Sequence, residues 1–375
     1  MKWLQNGNLA KLVAFFVIAT VITCTVSFAA NGWQSFIKEP DSDNIVADNN
    51  TESDDFDENK DGESGGENGG DDVPTVAPTP KYYHYLTGVE TDLENSLQRP
   101  MCLVLSSKDP LYGLSSSYLT IELPTEYGNT RFLSFTDEAT DLGKIGSLAP
   151  SRGYISNLAA YFGGILLSHG NDDVFKYDHQ IPGGHLDFSA TPGYCYTEYS
   201  NLVYTNGDLV AAFLKNSNVT TVLNESTGAP YNFVDIGSSV IGIERATDVL
   251  ITFSEGNTTE LAYSADNGKY AMIKNSAQKT DLLNDKPISY DNVFILNADS
   301  TTFETSESTQ LIIDTAKGGS GKYITGGTVM EITWSTDTSG NMTLFDANGE
   351  KLTINRGSSY IAFTKSSSPS SVKIS

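Results

Sequence analysis

Between Glu39 and Asp72 the chain places 14 acidic residues against a single base, Lys60. A stretch so rich in one charge cannot bury an apolar core, so it is predicted to be a disordered, self-repelling tether. The tether ends in Val73-Pro74-Thr75-Val76-Ala77-Pro78-Thr79-Pro80, a stiff polyproline-like piece. Its net charge of −13 is more than half of the formal −24 carried by all 375 residues. That balance argues against nucleic acid as a partner, which calls for a basic footprint. Asp57-Glu58-Asn59-Lys60-Asp61-Gly62 matches the first half of a calcium loop. Asn68 stands where the closing glutamate belongs, and no amphipathic helix flanks the match, so it reads as chance in an acidic run.

Ahead of the tether, Lys2 and Lys11 precede an apolar run from Leu12 to Ala30. A positive flank followed by an apolar stretch and small residues is the layout of an export signal. The positive-inside rule places everything after residue 30 outside the cytoplasm. Ser27-Phe28-Ala29 fits a cleavage site, and the 19-residue run is also long enough to span a bilayer. The expectation is therefore an extracytoplasmic protein, anchored by residues 12–30 or secreted after cleavage near Ala29. Val21-Ile22-Thr23 is a poor lead into Cys24 for lipid attachment.

From Tyr82 the composition becomes globular. Met101–Leu105, Tyr118–Leu123, Arg131–Phe135 and Ile165–Ser168 read as strands. Ile155, Leu158, Ala159 and Phe162 recur at helical spacing after Ser151-Arg152, and Gly163-Gly164 stops that helix. A second helix is predicted over Asp208–Lys215. After Glu244 short strand-like runs alternate with turn signals such as Asp266-Asn267-Gly268 and Ala347-Asn348-Gly349. Gly318-Gly319-Ser320-Gly321-Lys322 imitates the end of a phosphate loop. Ala316 and Tyr323 break that motif, and the segment reads as a turn between strands. The predicted fold class is α+β: a mixed α/β domain over 82–243, then a mostly antiparallel all-β domain over 244–366. Residues 1–30 form the signal or anchor, 31–81 the linker and 367–375 a flexible tail.

The residues resemble a family. Leu86-Thr87-Gly88, Arg99-Pro100, Gly113-Leu114, Glu122 and Gly128 through Leu133 are similar, in order, to the YerB-like lipoproteins of Gram-positive bacteria. So are Ile145-Gly146, Pro150-Ser151-Arg152, His169-Gly170 and Asn201-Leu202. In the second half Tyr263, Gly268-Lys269-Tyr270, Asp281, Asn292-Val293, Gly326-Gly327, Thr333-Trp334, Thr343 through Asp346 and Asn355-Arg356-Gly357 continue the order. The resemblance spans about residues 84–364 and implies a two-domain protein of a family without a known biochemical function. Ala149 and Ser200 depart from it, standing where the family has an arginine and a histidine.

Candidate chemistry centres on Arg131, Arg152, His169 and Glu122, near predicted strand ends or a helix start, with Asn201 added from the resemblance. Arginine forks suit carboxylates and phosphates, and a helix N-terminus favours an anion. The alternative is structural, with Glu122 and Arg131 paired across neighbouring strands. His179, His185 and Asp187 share a Pro/Gly loop without regular metal spacing. Cys102 and Cys195 either form a disulfide or remain buried thiols. No cofactor and no metal is called for, and no catalytic set is assembled. The reading is an envelope-binding protein whose partner is an envelope protein or a cell-wall fragment, with membrane contact only through the N-terminal segment. The alternative is a hydrolase or lyase acting on wall glycan or peptide through Glu122 with Asp137 or Glu138.

Overall fold

A computed structural model describes residues 80–375, except 109, 171–184, 225–226, 305–308, 339 and 367–370. The signal segment, the acidic linker and His179 lie outside the described residues. No described helix is long and apolar enough to cross a membrane.

The principal strands of the first half are β1 (Met101–Ser106), β2 (Leu119–Pro124), β3 (Thr130–Thr136), β4 (Ile145–Leu148) and β5 (Ile165–Ser168). They continue with β6 (His185–Asp187), β7 (Tyr196–Thr197) and β8 (Val203–Thr205). Two helices accompany them, α1 (Gly153–Tyr161) and α2 (Gly207–Ser217). The second half adds β9 (Glu244–Arg245), β10 (Asp248–Ser254), β11 (Asn257–Ser264), β12 (Lys269–Lys274) and β13 (Asn292–Ala298). It ends with β14 (Gly319–Thr325), β15 (Thr328–Thr336), β16 (Met342–Phe345), β17 (Ser359–Lys365) and β18 (Val372–Ile374). The architecture is α+β, and its C-terminal half is largely antiparallel strand.

A 14-stranded sheet runs β9-β15-β14-β13-β17-β2-β3-β1-β4-β8-β7, with β16 on β15, β5 on β1 and β6 on β5. Its centre is the parallel pairing of β17 with β2, which aligns Ser359–Ala362 with Leu119–Glu122. The sheet therefore crosses residue 243 without interruption. Both faces of its central strands are covered, which is why β1 is apolar at successive positions and why β2 is buried throughout, Thr120 and Glu122 included. On one face Cys102, Val104, Ile121, Leu123, Leu133 and Phe135 pack under Tyr154, Ile155 and Leu158 of α1. On the other, Leu103, Leu105 and Phe132 share a core with Val210 and Phe213 of α2 and with a second, six-stranded sheet built on β10, β11 and β12.

Two sequence expectations change. Gly319–Gly321, read as a turn, opens β14. A side chain at Gly319 would meet the Asn297 carbonyl oxygen at 2.2 Å, and one at Gly321 the Ile295 carbonyl oxygen at 2.7 Å. The glycines are there for close strand approach. The tail, expected to be flexible, ends in β18, which pairs antiparallel with Val249–Ile251 of β10. Ser375 then exchanges backbone hydrogen bonds with Asp248. Val372 and Ile374 pack on the core, so three residues suffice to hold the end.

Candidate functional site

Glu122 lies on β2 with no exposed surface, and its carboxylate is fully engaged. One oxygen meets Lys274 Nζ at 2.5 Å and accepts from Thr130 Oγ1 at 2.6 Å. The other accepts from Tyr360 OH at 2.7 Å and Thr259 Oγ1 at 2.8 Å. Lys274 also donates to Thr259 and Thr130. This closed cluster fastens β2, β3 and β17 of the large sheet to β11 and β12 of the second sheet. Burial, reinforced by the Glu122 charge, pushes the Tyr360 hydroxyl well above its ordinary pKa.

Arg131 does not face Glu122. It stands opposite Leu123 on β2 and Ser106 on β1, so it lies on the face that α1 covers. Arg152 sits at the start of α1 on that same face. Its fork is filled from within: Nε donates to Glu126 Oε1 at 2.9 Å and Nη2 to Glu126 Oε2 at 2.7 Å. Glu126 Oε1 also accepts the Leu311 amide at 3.0 Å. Burial works against the Glu126 carboxylate, but the Arg152 hydrogen bond and charge outweigh it and hold its pKa below the usual range. His169 follows β5, and its amide bonds the Ala149 carbonyl. The Ser151 amide bonds Gly170, so His169 and Arg152 occupy adjoining segments. Asn201 is exposed in the β7–β8 turn, at a φ of 62°.

Asp137 accepts from Tyr118 OH at 3.0 Å and lies 3.3 Å from His84 Nε2. Tyr118 packs against the core on the α1 face, whereas Tyr360 and Thr259 hold Glu122 on the other. Glu122 and Asp137, one of the two acid–base pairings considered, are thus separated by the sheet itself. Cys102 and Cys195 are both free. Cys102 is completely buried, and burial raises its thiol well above the ordinary value, which favours the inert, protonated form. Asp187 caps the Gly170 and Ser189 amides, and His185 Nε2 lies 2.8 Å from Ser168 Oγ.

A cleft of about 490 Å³ opens beside the end of α1. Arg99 organises it. Nε donates to the Gly163 carbonyl at 2.8 Å, Nη2 to Gly164 at 2.7 Å and Nη1 to Thr220 at 2.9 Å. The guanidinium thus clamps the loop after α2 to the Gly163-Gly164 turn. Tyr161, Thr220, Asn224, Thr227 and Asn341 complete the walls. The backbone of Gly340 lies against the Tyr161 ring, 3.0 Å from where a side chain would begin. An aromatic ring, hydroxyls and amides, with no carboxylate among the described lining residues, suit a neutral polar ligand. The sequence signals for this cleft were Arg99-Pro100 and Gly163-Gly164, which carry no visible link across 64 residues.

Residues 249–361 match the family described as protein of unknown function (DUF3048), C-terminal domain. No curated protein matches the sequence. In fold the chain is similar to the YerB protein from Bacillus subtilis, known from a crystal structure. The TM-score is 0.68 at 20% identity, covering 79% of this chain and 100% of that one. The likeness read from scattered motifs is therefore one of architecture over most of the chain: its fold is similar to that of YerB, and the family match lies in its C-terminal part.

Proposed function

We propose that the protein is an extracytoplasmic binding module of the cell envelope, anchored or secreted through its N-terminal segment and held off the surface by the acidic linker. Its ligand is a neutral polar fragment of the wall, a glycan or a peptide, received in the Arg99 cleft. The cleft carries this reading: its volume of about 490 Å³ is within the range of small-molecule sites. Its lining pairs the Tyr161 ring with threonine hydroxyls and asparagine amides. Sugar rings stack on such a ring and exchange hydrogen bonds with such amides. The export layout and the tether support the location. The experiment is calorimetric titration of residues 31–375 with soluble wall glycan strands and, separately, wall peptides. Tyr161→Ala is expected to weaken binding at least tenfold while leaving circular dichroism unchanged. Equal affinity for the folded variant, or no heat from either ligand, would remove the cleft as the site.

A further inference from the structure

A second constellation lies at the other flank of the sheet, apart from the cleft and independent of that reading. Gly146 of β4 stands between two tyrosines in one row of the sheet. Tyr112 exchanges both backbone hydrogen bonds with it on one side, and Tyr204 of β8 pairs with it on the other. The missing side chain at 146 makes the arrangement: a Cβ there would meet the Tyr204 ring at 2.6 Å. The Tyr112 and Tyr204 rings meet edge to face, with centroids 5.8 Å apart, and Tyr196 lies 6.1 Å from Tyr204. Lys144 Nζ sits in this enclosure, 4.3 Å from the Tyr112 centroid and 4.1 Å from that of Tyr204. Glu198 closes it with an oxygen 2.7 Å from the ammonium.

Two tyrosine rings and one carboxylate around a cation, with Tyr196 beside the second ring, form an aromatic cage, the arrangement that recognises organic ammonium groups. We propose that this cage is a binding site for an external organic ammonium, which takes the place of Lys144. The occupant comes from the loop before β4, where Gly143 precedes it, and not from a strand or helix that would pin it. The mouth is open: the Lys144 side chain is 20% exposed and that of Glu198 is 39% exposed. Glu198 lies on the β7–β8 turn, whose tip bears Tyr199, 91% exposed, ahead of Ser200 and Asn201, both at positive φ. With Lys144 in place the rings are already set for a cation, so an incoming ammonium does not have to order them. A primary ammonium is compact and strongly hydrated. Alkylated or quaternary ammoniums surrender water more readily and gain as much from the rings. The tethered lysine competes at an effective concentration on the order of millimolar, so the ligand must be presented densely, as on a polymer or a surface.

Two sources share this chemistry, a lysine-type side chain and a quaternary headgroup, and the probes separate them. The full chain and Lys144→Ala are titrated with butylammonium and with tetramethylammonium, followed by tyrosine fluorescence against sodium chloride at equal ionic strength. Lys144→Ala is expected to bind at least one probe saturably and about tenfold more tightly than the parent, with the preferred probe naming the source. Glu198→Gln in the same background is expected to weaken that binding about tenfold. A response equal to that of sodium chloride, or one unchanged when Tyr204→Ala is added, overturns the proposal. Should Lys144→Ala fail to fold, recovery of its circular dichroism by millimolar butylammonium or tetramethylammonium supports the site, and failure of both to restore it overturns it.

Discussion

Glu122, singled out from the sequence as a candidate site residue, is placed by the structure inside a closed charge cluster. Its place near a predicted strand end and in the family resemblance drew attention to it, but its counter-ion Lys274 lies 152 positions away and no local pattern announces it. With exposures of 0% and 2% the pair is sealed, and removing one partner strands the other as a buried charge. Glu122→Gln is expected to lower stability by about 3–5 kcal/mol. The double variant Glu122→Leu/Lys274→Met, which removes both charges, is expected to lie nearer the parent. Urea unfolding followed by circular dichroism measures both. A loss under about 1 kcal/mol for Glu122→Gln would show that the pair contributes little. The arginines repeat the lesson. Arg152 does present its fork to a carboxylate, but to Glu126 of its own chain, a pairing 26 positions apart with no helical or strand register to predict it.

Elements were legible where one physical signal dominated. Continuous apolar runs gave β1 and β5 within a residue, because strands covered on both faces have little polar side to show. The α1 face followed from its 3.6-residue spacing, and Asn206 caps α2 just ahead of the predicted start by accepting from the Leu209 amide. The strand β14 was hidden because its first residues, Gly-Ser-Gly, carry turn chemistry, and only the neighbouring strands explain them. Gly321→Ala tests that explanation. A Cβ would press on the Ile295 carbonyl and lie 2.9 Å from a Leu296 methyl, so the expected cost is about 1–3 kcal/mol. The readout is the urea midpoint at unchanged slope. A midpoint equal to the parent's would mean that β13 and β14 do not approach so closely. The two candidate sites were illegible for a related reason. The cage draws on residues 112, 144, 196, 198 and 204, and the Arg99 cleft on several segments far apart in the chain.

For the molecule as a whole, the pairing of β17 with β2 outweighs the change in pattern near residue 243. Phe294, Leu296, Trp334, Ile361 and Phe363 share one core with Leu119, Ile121 and Phe135. The expected behaviour is a single unfolding transition, coincident by far-ultraviolet circular dichroism and by Trp334 fluorescence. Fragments 80–243 and 244–375 are expected not to fold when made separately. Two separate transitions, or a cooperative melt from either fragment alone, would show that the halves are independent. The same pairing bears on how the chain is made. Synthesis delivers the N-terminus first, yet one neighbour of β2 is the last long strand to emerge. Until residue 365 is out, Leu119–Pro124 has an open edge, the kind of surface on which nascent chains aggregate. A premature stop anywhere before β17 therefore leaves an adhesive fragment rather than a working half.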